Sequence, residues 1–280
     1  MIRNLLLTAS VLALTGAVSM PAQAQSAAGA YLAGRHAAVR SDFAESAKYY
    51  GEALALDPKN PEFLESTVLA LLSLGNIERA LPLARVMAAS DQPGQIAYLV
   101  TTAGMAQEED YAGLIAQSAD EGGIGPWVDG LVKAWAQVGA GDMTAALAQF
   151  DALSTEAGMQ GFVMYHKALA LASVGDYEGA EAIFAANQSG SAGQTRRGVI
   201  ARVEILGQLG RNEQALALLT DSFGANSDPE LDDLVAALQG DGQVAFTQIP
   251  DAKAGIAEVF FTFAAVLRNE SAGDYYVLLY

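Results

Sequence analysis

A short pattern that returns at a fixed interval constrains this chain more than any other feature. Ser41-Asp42-Phe43-Ala44-Glu45-Ser46 is echoed by Gly75-Asn76-Ile77-Glu78-Arg79-Ala80, Gly141-Asp142-Met143-Thr144-Ala145-Ala146, Gly175-Asp176-Tyr177-Glu178-Gly179-Ala180 and Gly210-Arg211-Asn212-Glu213-Gln214-Ala215. A fainter copy starts at Glu109, so the starts at 41, 75, 109, 141, 175 and 210 lie 32 to 35 residues apart. A period of roughly 20 to 50 residues marks a supersecondary unit that cannot bury its apolar face alone and must stack on its neighbours. The chemistry is the same in each copy. A glycine ends one helix in a left-handed cap, a short polar residue caps the next, and a small residue sits where the two helices touch.

The flanking stretches fit helices. After the first turn the pattern runs through Tyr50, Ala53 and Leu54 to Asp57-Pro58, where proline closes the unit. Phe150, Phe184 and Leu219 take the place of Tyr50 in later copies, as bulky knobs opposite the small residues. Ahead of the turns, Leu64, Val68, Leu71 and Leu72, and again Val199, Val203 and Leu206, recur at helical spacing.

On these residues the chain resembles the tetratricopeptide repeat family, a helix pair of about 34 residues with large residues early, small residues at two contact points and a closing proline. Ser46 or Ala47, Ala80, Ala146, Ala180 and Ala215 match the small position of the second helix, and Gly34 and Ala168 that of the first. The resemblance runs from residue 27 to about 225 and implies an all-α, right-handed α-solenoid of about six antiparallel helix pairs. From Asp228 the period blurs. Residues 229–239 and 252–268 still read as helices, but Gly240-Asp241-Gly242 and Pro250 interrupt them, so residues 226–280 form an atypical C-terminal part. The sequence stops at Tyr280 inside the apolar run Tyr275-Tyr276-Val277-Leu278-Leu279, which is read as the truncated end of a longer protein or an end that docks elsewhere, on a second copy included.

The other end reads as an export signal: Arg3, an apolar run from Leu5 to Met20, Pro21, and Ala22-Gln23-Ala24 as the cleavage site, with the mature chain starting at Gln25. No later stretch is long and apolar enough to span a membrane. A periplasmic or secreted bacterial protein is the expectation. The absence of cysteine excludes disulfides, thiolate metal sites and a thiol nucleophile. With 15 Lys and Arg against 32 Asp and Glu, a net charge of -17 repels phosphates. The adjacent pair Arg196-Arg197 is too small a basic patch for nucleic acid or an anionic membrane, so neither is an expected partner.

Catalytic constellations are missing. His36 and His166 lie in different repeats without metal-ligand spacing, and His166 reads as an ordinary helical histidine. Glu108-Glu109-Asp110 and Asp232-Asp233 read as charge at helix starts rather than a calcium loop. Gly122-Gly123-Ile124-Gly125 reads as a loop, not a phosphate cradle. Asn187-Gln188-Ser189 and Asn269-Glu270-Ser271 match the glycosylation pattern, which matters only in a eukaryotic host. Trp127 and Trp135 lie roughly 80° apart around a helix, which allows one to face inward and one outward, and core packing is the favoured reading of each. No enzyme activity, metal or cofactor is expected.

In the family the first helices line a concave groove in which peptides lie. Carried over by register, the groove-facing residues are Glu62, Glu65, Leu69 and Leu72, then Phe162, Tyr165 and Leu169, then Arg197, Ile200 and Glu204. The resemblance implies a protein- or peptide-binding scaffold of the cell envelope, with an apolar or basic segment as partner. The alternatives are an accessory region of a larger envelope enzyme or polymer-export protein continuing past residue 280, and a small-ligand binder.

Overall fold

The computed structural model describes residues 26–117, 123–156, 158–186, 193–224, 228–240 and 244–269. The export signal, the glycosylation pattern at 187–189 and the apolar run before Tyr280 lie outside them. Among the described residues the chain is all helix, fourteen helices without a strand. Six antiparallel pairs follow one another: α1 (Ala27–Val39) with α2 (Phe43–Leu56), α3 (Pro61–Ser73) with α4 (Ile77–Ala88), α5 (Gln95–Gln107) with α6 (Tyr111–Ala116), α7 (Pro126–Gly139) with α8 (Met143–Ser154), α9 (Gln160–Ser173) with α10 (Tyr177–Ala186), and α11 (Arg196–Gln208) with α12 (Asn212–Phe223). Then come α13 (Pro229–Gln239) and the long α14 (Ala252–Asn269). This is an α-solenoid of the kind the period predicts.

The six pattern starts are six left-handed residues. Ser41, Gly75, Glu109, Gly141, Gly175 and Gly210 have φ of 58, 67, 56, 82, 87 and 67°. At each, the next residue's N–H reaches back five positions to a helix carbonyl, from Asp42 to Ala37, Asn76 to Leu71, Asp110 to Met105, Asp142 to Gln137, Asp176 to Leu171 and Arg211 to Leu206, at 2.8–3.0 Å. That bond satisfies a carbonyl orphaned at the helix end. The same residue then turns to the following helix. Asp42, Asn76, Asp110, Asp142 and Asp176 accept the backbone N–H three residues on, at 2.9–3.2 Å, while Arg211 makes no such side-chain bond. The faint copy at Glu109 is therefore a full turn geometrically, although its second helix has only six residues.

Small residues sit at the crossings. Ala80, Ala146, Ala168, Ala180 and Ala215 are completely buried, with Phe150, Phe184 and Leu219 buried opposite. One apolar cluster runs from α1 into α11, through Ala201 and Ile205, and takes in Ile249, Ile256, Val259 and Phe260 of the C-terminal part; a second joins the rest of α11 with α12 and α13. Of the two tryptophans only Trp135 is in the core. Trp127 is 42% exposed, contrary to the expectation, because it stands in the first turn of α7 beside Pro126, at the rim of the helix stack.

The turns predict opposite effects at two positions. Nothing crowds a Cβ at Gly141, so Gly141→Ala carries only the cost of the left-handed backbone, about 1 kcal/mol, whereas Ser41→Gly removes that strain and stabilises by about 0.5–1 kcal/mol. Urea unfolding midpoints measure both.

Candidate peptide-binding groove

One of the offsets expected to face the groove lies six residues ahead of each left-handed residue. Leu69, Trp135, Leu169 and Glu204 occupy it in α3, α7, α9 and α11. The structure divides these positions into two sets. Glu62 and Glu65 on α3 are exposed, and Leu69 and Leu72 are half-buried at its surface. Glu62 accepts the Tyr31 hydroxyl of α1, and this bond, ahead of partial burial, holds the Tyr31 hydroxyl above its usual pKa. The residues of α9 and α11 are covered by the chain itself.

The cover is the C-terminal part. After α13 the chain runs over α11 in a stretch without regular secondary structure, residues 244–250, and then lays α14 on the first helices, mainly on α7 and also on α9 and α5. The stretch is held by its backbone: Gln208 Nε2 donates to the Val244 carbonyl, and Glu204 accepts the N–H of Thr247 at 2.8 Å, the N–H of Gln248 at 3.2 Å and the Thr247 hydroxyl at 2.7 Å. It lies so close to α11 that a Cβ on Gly207 would stand 2.9 Å from Val244 Cβ. Glu204 is a buried acid whose polar needs are met by the amides of its neighbour segment.

α14 is seated by shape, charge and hydrogen bonding together. Gly255 lies over the Trp135 indole, where a Cβ would come within 2.2 Å of the ring. Ile256 and Val259 are buried, and each such side chain contributes about 1.5–3 kcal/mol. Glu258, 1% exposed at its side chain, accepts the Tyr165 hydroxyl at 2.8 Å and pairs with Arg197 at 2.7 Å. Burial first, and then the Glu258 carboxylate, push the Tyr165 hydroxyl far above the usual range. Arg197 also lies over the Phe261 ring, 5.0 Å from its centroid, and Phe162 meets Phe263 edge-on at 5.2 Å. Thus Phe162, Tyr165, Arg197 and Glu204 touch the C-terminal part, while Leu169 and Ile200 are buried in the two apolar clusters.

His166 is more than an ordinary helical histidine. It is fully buried, with Trp135 Nε1 donating to Nδ1 at 3.2 Å and Nε2 facing Thr262 Oγ1 at 3.3 Å. The Thr262 hydroxyl donates to the Glu258 carbonyl, so the consistent assignment is a neutral ring with the proton on Nε2. Burial pushes its pKa down to about 3. Sequence reading missed Trp135, His166, Glu258 and Thr262 as groove residues; register counting from Gly141 was the available signal for Trp135 alone. Both members of the Arg196-Arg197 pair are engaged by carboxylates, Arg196 by Asp228 and Glu230 and Arg197 by Glu258. Among the described residues, no group of three or more acidic or histidine side chains is arranged to hold a metal, and no helix is long and apolar enough to cross a membrane.

A family model described as Tetratricopeptide repeat matches residues 31–94, spanning α1 to α4. No curated protein matches the chain.

Two predictions follow from the seating. Arg197→Ala leaves the buried Glu258 carboxylate without its cation and costs about 2–3 kcal/mol, more than Glu258→Gln, which keeps an acceptor for Tyr165 and costs about 1 kcal/mol. Equilibrium unfolding of the two variants gives the order. His166 is held neutral in the folded state, so the unfolded chain binds the extra proton and stability falls as pH drops below about 6.5. Between pH 6.5 and 5, above the carboxylate range, the loss approaches 1.4 kcal/mol per pH unit in the wild type. In His166→Gln that slope disappears.

Proposed function

We propose that the chain is a protein- or peptide-binding scaffold of the bacterial cell envelope that takes an apolar or basic segment on the open part of its concave surface, over Glu62, Glu65, Leu69 and Leu72. Tetratricopeptide repeats serve protein–protein interaction, and the matched repeats at residues 31–94 are the ones whose groove residues α14 leaves uncovered. The observation that carries the reading is the division of the groove: the α9 and α11 positions already hold a segment of protein, while the α3 positions face solvent in the same register. The exposed pair Glu62 and Glu65, in a chain of net charge -17, favours a basic partner, and the half-buried Leu69 and Leu72 supply the apolar contact. Glu65 also borders a cleft of about 290 Å³ with Lys59, Leu64, Met87 and Ile96, room for one side chain of a bound segment. The leader at residues 1–24 supports export, with processing after Ala24.

A photo-crosslinking amino acid placed at Leu69 or Leu72 in the exported chain tests the reading. It is expected to trap an envelope protein that the same group at the exposed Val174 does not trap, and Glu65→Lys is expected to reduce that product at least tenfold. Equal trapping at Val174, or trapping indifferent to Glu65→Lys, contradicts it. Mass spectrometry of the exported chain is expected to give Gln25 as the first residue.

A further inference from the structure

We infer that the concave face of α7, α9 and α11 is a helix-reading site, filled here by the chain's own α14, which also accepts in trans an amphipathic helix of the same spacing. The partner this face fits is a helix with a small residue, an acid three residues on and a hydroxyl four beyond it, with apolar residues between. The inference rests on the reading that the concave surface binds protein, but it concerns the other half of that surface.

Three consecutive repeats together read three features of α14. Trp135 of α7 admits only a residue without a side chain at position 255, since a Cβ there would stand 2.2 Å from the ring. Tyr165 of α9 and Arg197 of α11 converge on one buried carboxylate at position 258. His166, held by Trp135 so that Nε2 points outward, meets the hydroxyl at position 262. Ile256, Val259 and Phe260 fill the spaces between. Each demand is specific: a larger residue at 255 clashes, and a neutral apolar one at 258 leaves Tyr165 and Arg197 without their acceptor.

The stack that carries these residues has contacts of its own besides those with α14, whose Ile256, Val259 and Phe260 join the main apolar cluster. Its turns and pair contacts join successive helices from α1 to α12, whereas α14 lies mainly on α7, α9 and α5. Repeat stacks are held by such nearest-neighbour contacts. Binding in trans requires that this stack keep the site when its occupant departs. A tethered helix competes at an effective concentration on the order of millimolar, so a helix in trans binds the wild-type chain weakly and binds strongly once α14 is unseated.

The full chain carrying Gly255→Leu unseats α14, because leucine has no room over Trp135. A fluorescein-labelled peptide of residues 251–269 is titrated into it and into the wild type, with anisotropy as the readout and circular dichroism as the check on folding. The expected result is binding by the variant, at least tenfold weaker binding by the wild type, and at least tenfold weaker binding to the variant of a peptide carrying Glu258→Ala. A variant that loses far more helix than α14 overturns the inference, since α14 is then a member of the core. So does a folded variant that ignores the peptide or binds both peptides alike. Peptide binding without crosslinks at Leu69 and Leu72 refutes the earlier reading alone, and the reverse pattern refutes this one alone.

Discussion

The left-handed residue at the head of each turn is the constraint on which the rest depends. It lets the chain close one helix with a backbone bond five residues back and present a side chain that opens the next helix, all within three positions. Repeated six times, it makes every pair antiparallel, turns the first helices to one side and the second to the other, and brings residues one repeat apart into register. Two of the six are not glycine. Ser41 and Glu109 hold φ of 58 and 56° because the bonds on either side leave the chain no other path.

A surface made by first helices in register cannot be apolar and bare at once. Over α7 and α9 it carries Trp135, Phe162 and Tyr165, and the chain covers them with α14. Apolar burial supplies most of the free energy of that contact. The Glu258 pair adds less, since a buried ion pair roughly offsets its own desolvation, but it admits only one register: shifted by one residue, the carboxylate would miss both Tyr165 and Arg197. Shape at Gly255 and charge at Glu258 fix the same placement independently. On α3 the matching positions carry the exposed Glu62 and Glu65 with the half-buried Leu69 and Leu72, and among the described residues α14 does not reach them.

How far the sequence reveals all this depends on the range of each interaction. The turns are local, spanning six residues, and all six are legible, including the faint one at Glu109, where a glutamate stands in the glycine's place. Helices α13 and α14 are legible for the same reason, through proline, glycine and apolar spacing over a dozen residues. The seat of α14 is not. Its decisive bonds, Tyr165 to Glu258 and His166 to Thr262, join residues 93 and 96 apart, and no periodicity links them. Phe162, Tyr165, Arg197 and Glu204, read from the register as groove positions, all touch the C-terminal part, a segment whose own pattern shows only that it contains a helix. For Trp127 aromatic size argues for burial, while its place in the first turn of α7 decides for exposure.

The whole arrangement turns on α14 closing over Trp135 of α7. Trp127→Phe leaves Trp135 as the sole tryptophan, and acrylamide quenching of its fluorescence reads the cover directly. A blue-shifted emission that acrylamide barely quenches is the predicted result, given an indole with no exposed surface. A water-like emission, quenched as readily as a free indole, would show that α14 does not cover Trp135.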